Sequence, residues 1–220
     1  MFKTFAVAAA ALAITLSLAG CQSIIDKLGP ISTQPQPAAS APAVPSAPDA
    51  AKTAVRQLSS PGHVTDDMQL SAGQCHAVTV NAANGDFLPD PSCTPGAADT
   101  AVTQANLAST ICASGYTKTI RPPVSETGRA KYLSLAQYNL AYSKTTEYDH
   151  LISLELGGTN STSNLWPEPN SSSAASFNNP KDAVENALNA AICSHKVTLV
   201  AAQNAIASNW ITAEHVLGLN

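Results

Sequence analysis

The chain has 220 residues, 45% of them hydrophobic and only 12% charged, with a formal net charge of −4 at pH 7. No long basic stripe interrupts that balance, so nonspecific affinity for nucleic acid built on wholesale phosphate neutralisation is excluded. Any role on nucleic acid must rest on local basic residues and a metal ion.

In chain order, Lys3 is followed by an apolar run from Phe5 to Leu18 and then by Leu18-Ala19-Gly20-Cys21. A basic start, a short apolar core and small residues describe a secretory signal. The run is shorter than the roughly 20 apolar residues of a membrane span. Leu18-Ala19-Gly20-Cys21 resembles the bacterial lipobox, which implies cleavage before Cys21 and lipidation of that cysteine. Gln22 in place of Asp, by resemblance to enterobacterial lipoprotein sorting, favours the outer membrane. Pro30 to Pro48 is almost entirely Pro, Ala, Ser, Gln and Val. Such a segment cannot bury enough apolar surface to fold, and its prolines extend it by about 3.1 Å per residue. The organisation expected is a signal peptide at 1–20, a lipidated tether at 21–60 and one globular domain at 61–220. Loss of Lys3 with the signal makes the mature chain one unit more acidic.

Beyond Cys21, cysteines remain at 75, 93, 112 and 193. An even number in an exported chain points to two disulfides in one of three pairings. No CxxC spacing supports a zinc ribbon. The pairing favoured is Cys75–Cys93, around a turn-rich loop, with Cys112–Cys193 tying an early helix to a late one.

Within the domain, residues 76–80 (HAVTV) alternate as a strand would. Thr103 is placed to cap a helix over QANLASTIC with Leu107 and Ile111 on one face, and Gly115 stops it. YTKTI (116–120) reads as a strand ended by Pro122-Pro123. A second helix is expected from Ser125 to Tyr138, with Tyr132, Leu135 and Tyr138 inward. Asn179 then caps the clearest helix, with Pro180 at its first position and Asp182 near the positive end of the dipole. Val184, Ala187, Leu188, Ala191 and Ile192 form its apolar stripe, and Asp182, Glu185, Asn186 and Asn189 its polar face. A last helix, capped by Thr198, gathers Leu199, Ala202, Ile206 and Trp210. The fold class expected is α+β: a small helical domain around a strand–loop–strand–helix centre.

That centre is EYDHLISLELGGTNSTSNLWPEPN, residues 147–170. YDHLISL is β-prone, Gly157-Gly158 allow a sharp turn, and NLW can return as a second strand stopped by Pro167. DHLISLELGGTNSTSNLW resembles the first two-thirds of the HNH motif of ββα-metal (His-Me finger) nucleases. LPDPSCTPGA, TIC, RPP, NLWPEP, NPKDAVENAL and AQNAIASNW extend the resemblance to a group of secreted bacterial HNH-like proteins, over about residues 87–210.

The resemblance implies a division of labour. His150 would be the general base, since an imidazole titrating near 6.5 suits proton abstraction from water at neutral pH. Asp149 would hold a divalent ion, Mg or Mn, that polarises the scissile phosphate. Asn164 would brace the loop. The motif's third residue, His or Asn near the helix start, has no histidine to fill it, because none occurs between His150 and His195. Asn178, Asn179, Asp182 and Glu185 are the replacements, with Asp182 first and Glu185 second as oxygen ligands; an acidic residue there also serves as a dipole partner. Arg121 leads for phosphate contact, ahead of Arg129 and Lys181. Trp166 reads as core. His63, His76, His195 and His215 lack ligand spacing, and no G-x-S-x-G elbow supports a serine hydrolase.

The function implied is a divalent-metal-dependent endonuclease on the cell envelope, acting as a monomer with nucleic acid as substrate and the membrane engaged through Cys21. The other reading is a non-catalytic envelope lipoprotein that keeps the scaffold for binding.

Overall fold

The computed structural model describes residues 55–60 and 62–220, so the signal segment, Cys21 and most of the tether lie outside the described residues. Helices and small sheets mix as expected of an α+β chain. Among the described residues there are three two-stranded sheets. β1 (Arg56–Leu58) pairs in parallel with β4 (Ala97–Asp99), while β2 (Val78–Asn81) pairs antiparallel with β3 (Asp86–Leu88). The third, central to the site, pairs β5 (Glu147–His150) antiparallel with β6 (Leu165–Glu168). The described residues also form five α-helices: α1 (Tyr116–Ile120), α2 (Val124–Gln137), α3 (Pro180–Cys193), α4 (Leu199–Asn209) and α5 (Ala213–Val216). Among the described residues, no helix is long and apolar enough to cross a membrane.

Leu151 and Ile152, adjacent in sequence, feed two different cores. Ile152 joins Leu156, Leu188, Ile192, Ile206 and Trp210 in the larger cluster, built mainly on α3 and α4. Leu151 joins Tyr138, Trp166 and the Cys75 and Cys93 pair in the smaller one. Trp166 is fully buried, as its core reading requires. Both residues lie in the bend that follows β5, so the chain leaving that strand becomes the partition between the two cores.

Both helix caps read from the sequence are present. The Asn179 side chain accepts from Lys181 N–H while Asp182 accepts from Asn179 N–H, a reciprocal capping box. Thr198 accepts from Ala201 N–H at the start of α4. Both disulfides form as paired above, with Cα separations of 5.9 Å for Cys75–Cys93 and 5.7 Å for Cys112–Cys193.

Four local expectations give way to tertiary context. YTKTI is helix α1 rather than a strand: Gly115, at φ 82°, turns the chain into it, and Tyr116 packs on the larger core. A five-residue run with no strand to pair is too short for β propensity to decide. Residues 104–112 make only a 3-10 turn, Leu107–Ser109, because the Ser109 and Thr110 hydroxyls bond the Asn106 carbonyl and the Asn106 side chain reaches Ala101 O and Thr103 N. Cys112 therefore ties a turn, not a helix, to the end of α3. Tyr132 is 64% exposed, because within α2 only Ser134 and Leu135 are buried. Pro167 lies inside β6 opposite Tyr148 instead of ending the strand. A two-stranded sheet gives each strand an outer edge, where a missing N–H is tolerated.

The longer disulfide should matter more to stability. Chain-entropy scaling gives about 4.5 kcal/mol for Cys112–Cys193, which spans 81 residues, against about 3 kcal/mol for Cys75–Cys93, which spans 18. Urea denaturation of the two paired Cys→Ala variants should rank them in that order.

Candidate functional site

The β5–β6 register sets Asp149 opposite Trp166, Glu147 opposite Glu168 and His150 opposite Leu165. The pleat therefore puts Asp149 and Glu168 on one face of the hairpin and His150 on the other. The connection is held from inside by Asn164, which is fully buried. Its Oδ1 accepts from Ile152 N at 3.0 Å and Ala97 N at 3.2 Å, and its Nδ2 donates to Ile152 O and Thr159 O at 2.9 Å each. Gly158 permits this closure: a Cβ there would stand 1.7 Å from Ile152 O.

On the Asp149 face the first turn of α3 delivers Lys181, whose side chain is fully buried. Its Nζ donates to Asp149 Oδ2 at 2.5 Å, to His150 O at 2.7 Å and to Glu185 Oε1 one turn along the same helix. Glu168 lies in the same charge cluster, fully buried, with no donor facing either carboxylate oxygen. Burial outweighs the pull of Lys181 and, with Asp149 beside it, pushes the Glu168 carboxyl well above its usual range. Burial also raises Asp149, but Lys181, by its charge and its hydrogen bond, outweighs it and holds the carboxyl below its ordinary range. Lys181 in turn is depressed by burial and lifted further by Asp149, Glu185 and Glu168, so it stays an ammonium. Burial drives Glu185 up to about 8 despite its bond to Lys181.

On the other face His150 is 6% exposed, and its Nε2 lies 2.9 Å from Asn160 Oδ1. Asn160 Nδ2 is committed to Ile120 O at 2.8 Å, so its oxygen must face the imidazole. Nε2 then carries the proton, and Nδ1 keeps its lone pair. Burial, opposed by Asp149, lowers the His150 pKa and keeps the ring neutral. The ring lines a cleft of about 400 Å³ with Arg121, Lys131, Thr127, Glu147 and Phe177. Arg121 also borders a neighbouring cleft of about 380 Å³ lined by Glu155, Asp182 and Glu185. Glu147 is raised to about 7 by burial and by Asp149 and Asp182.

The residues singled out in the sequence thus divide. Asp149, Glu185 and His150 come together, while Arg121 stands exposed between the two clefts. Asp182 turns back to cap its own helix, its Oδ2 accepting from Asn179 N at 3.2 Å. Arg129 lines a different cleft, with Asp66 and Glu126. Two residues sit opposite to their reading: Glu185 is buried rather than on a solvated polar face, and Lys181 is buried rather than free to contact phosphate. The register puts their turn of α3 against the Asp149 face, which no helical period alone reveals. Asn160 and Glu168 were missed. Glu168 had one signal, a lone carboxylate between two prolines in an otherwise apolar return strand.

Whether these residues fit Mg or Mn is decided by Lys181. Asp149 and Glu185 meet at an ammonium, not at an open cation position, and Asp182 is not with them. Among the described residues, no three His, Cys, Asp or Glu are grouped to hold a metal ion. As folded, the donor set does not fit the ion. No family model, curated protein or solved structure matches the chain.

The shifted carboxyls set a pH dependence. Glu147 and Glu185 hold protons up to about 7 and about 8 when folded, against 4.5 as the ordinary value, so the folded state binds more protons in that window and stability falls as pH rises through it. His150, lowered from 6.5, acts oppositely, but only below 6.5. The melting temperature should therefore decline from pH 6.5 to 8, and Glu147→Gln should lessen the decline up to about pH 7.

Proposed function

We propose that the domain hydrolyses phosphodiesters of nucleic acid at the cell envelope, through an HNH-like strand–strand–helix unit. The observation that carries this reading is the orientation of His150. Asn160 fixes the tautomer, and the ring borders a cleft that also presents Arg121. A neutral imidazole with a free nitrogen in a cleft bearing a guanidinium is the arrangement a general base acting on an anionic substrate needs.

In the proposed step His150 takes a proton from water as the water oxygen bonds to phosphorus. The bond from phosphorus to the leaving oxygen breaks, and that oxygen is protonated from solvent. Arg121 neutralises the non-bridging oxygens. Asn160 and Asn164 are positioning residues, the first for the ring and the second for the loop.

A nucleic acid, rather than another phosphodiester, is supported by the aromatic rings around Lys131, which lines the cleft with Phe177. Tyr132 and Tyr142 stack with centroids 5.9 Å apart, and both are largely exposed, as is Phe177. Lys131 Nζ lies 5.5 Å from the Tyr142 ring centroid and 5.6 Å from that of Phe177. Exposed rings beside cations give unpaired bases a place to stack, with about 1–3 kcal/mol per base in such sites.

A second reading, a binding scaffold without catalysis, is favoured by one observation: Lys181 fills the position between the carboxylates where a catalytic cation would be sought.

Cleavage of single-stranded and plasmid DNA and of RNA by the purified protein separates the two readings. His150→Ala should lower the rate by about 10²- to 10⁴-fold, with Tyr142→Ala mainly raising KM. The acid limb of kcat/KM should fall below pH 6.5, because the folded environment lowers the His150 pKa from that value. Binding without cleavage would establish the scaffold reading, and equal cleavage by His150→Ala would remove His150 from the mechanism.

A further inference from the structure

We infer that Lys181 is the resident cation of this site: its ammonium supplies, as part of the chain, the positive charge that a divalent ion would otherwise bring between Asp149 and Glu185. The inference holds whether or not the protein cleaves nucleic acid, because it concerns what the carboxylates bind.

An ammonium has three N–H donors. All three are directed at oxygens here: Asp149 Oδ2, the His150 carbonyl and Glu185 Oε1. Nothing of the group is left to reach a substrate, and its exposure is zero. Its backbone is fixed as well, since Lys181 N–H donates to the Asn179 cap at 2.9 Å and Pro180 precedes it at the start of α3. A flexible four-carbon chain is thus anchored at both ends.

The surroundings explain why a cation is held at this point. Asp149 and Glu185 converge on one spot together with a backbone carbonyl, with 16% and 11% of their side chains exposed, and the fully buried Glu168 lies in the same charge cluster. Without a positive charge, the ionised Asp149 would have to take up a proton or the cluster to open. An all-oxygen set is also what a hard divalent ion takes. The ammonium therefore competes directly with such an ion, at an effective concentration no free ion in solution can match.

Two consequences follow in the chemistry. Hydrolysis, if it occurs, proceeds without a divalent ion and survives chelation. Removing the lysine side chain leaves two carboxyl groups and one carbonyl facing the vacated position, so Lys181→Ala should convert the site into a divalent-cation site. The same substitution frees the His150 carbonyl, which makes Lys181 a positioning residue for the base.

The test is a titration of the full chain with Mn²⁺, followed by paramagnetic broadening of amide resonances, by calorimetry and by thermal denaturation. The wild type should show no saturable site tighter than about 10⁻³ M and no selective broadening at Asp149, His150 or Glu185. Lys181→Ala should melt lower than wild type and bind one Mn²⁺. Mn²⁺ should restore its melting temperature, and Asp149→Asn in the same background should abolish the rescue. Selective broadening at Asp149 and Glu185 in the wild type overturns the inference, as does a folded Lys181→Ala that binds no Mn²⁺. Should Lys181→Ala stay unfolded with and without Mn²⁺, the wild-type broadening decides alone. EDTA-insensitive cleavage by wild type would agree with the inference, while cleavage absent under every condition would count only against the hydrolase reading.

Discussion

The ammonium of Lys181 fastens the first turn of α3 to the end of β5, and most of what is unusual about the centre of this fold depends on that one contact. Taking an ammonium and several carboxyl groups out of water costs several kcal/mol per ion after relaxation. That cost is met only because each N–H finds an oxygen and because burial pushes the Glu168 carboxyl well above its usual range while Asp149 stays below its own. A hydrophobic joint of similar volume would hold a helix on a hairpin equally well. A saturated polar joint fixes one register and one helix rotation, since any slip strands a charge in the interior.

The hairpin then separates two kinds of chemistry by its pleat. One face carries the ionic joint, and the other carries the imidazole of His150 with its Asn160 partner. The two faces still communicate, because the carbonyl bonded by Lys181 belongs to His150 itself. Rigid support from both sides is what a positioned base requires: a ring held at Nε2, a backbone held at its carbonyl, and a connecting loop held by the four bonds of Asn164. The cleft beside it is open and carries exposed aromatic rings and Arg121, so preorganisation and access coexist.

Electrostatically the domain solves a local problem within an acidic chain. Glu147, Glu155, Asp182 and Glu185 crowd the same end of α3, and burial together with mutual repulsion raises Glu147, Glu155 and Glu185. Lys181 inside, with Arg121 and Lys131 at the cleft, are cations that oppose them. An anionic ligand beside His150 must therefore rely on Arg121 and Lys131 and on groups that bind through their faces rather than through charge.

Much of the secondary structure was legible in the sequence, because its signals are local. The Asn179-Pro180 and Thr198 caps, the apolar stripe of α3, the core role of Trp166 and the turn at Gly157-Gly158 each rest on a few neighbouring residues and on backbone geometry. The two disulfides were legible as a count and a favoured pairing. What the sequence alone determined is this frame. Local pattern reading failed where other contacts competed: 116–120 became helix, 104–112 became turns, and Tyr132 turned outward. Only the tertiary structure decided what the carboxylates hold. A lysine in the first turn of an amphipathic helix reads as solvated by default, because period and propensity carry no information about which stretch of helix a distant strand will cover. Once the β5–β6 register sets Asp149 and Glu168 against that turn, burial reverses the reading, and the place expected for a metal ion is taken by the chain itself.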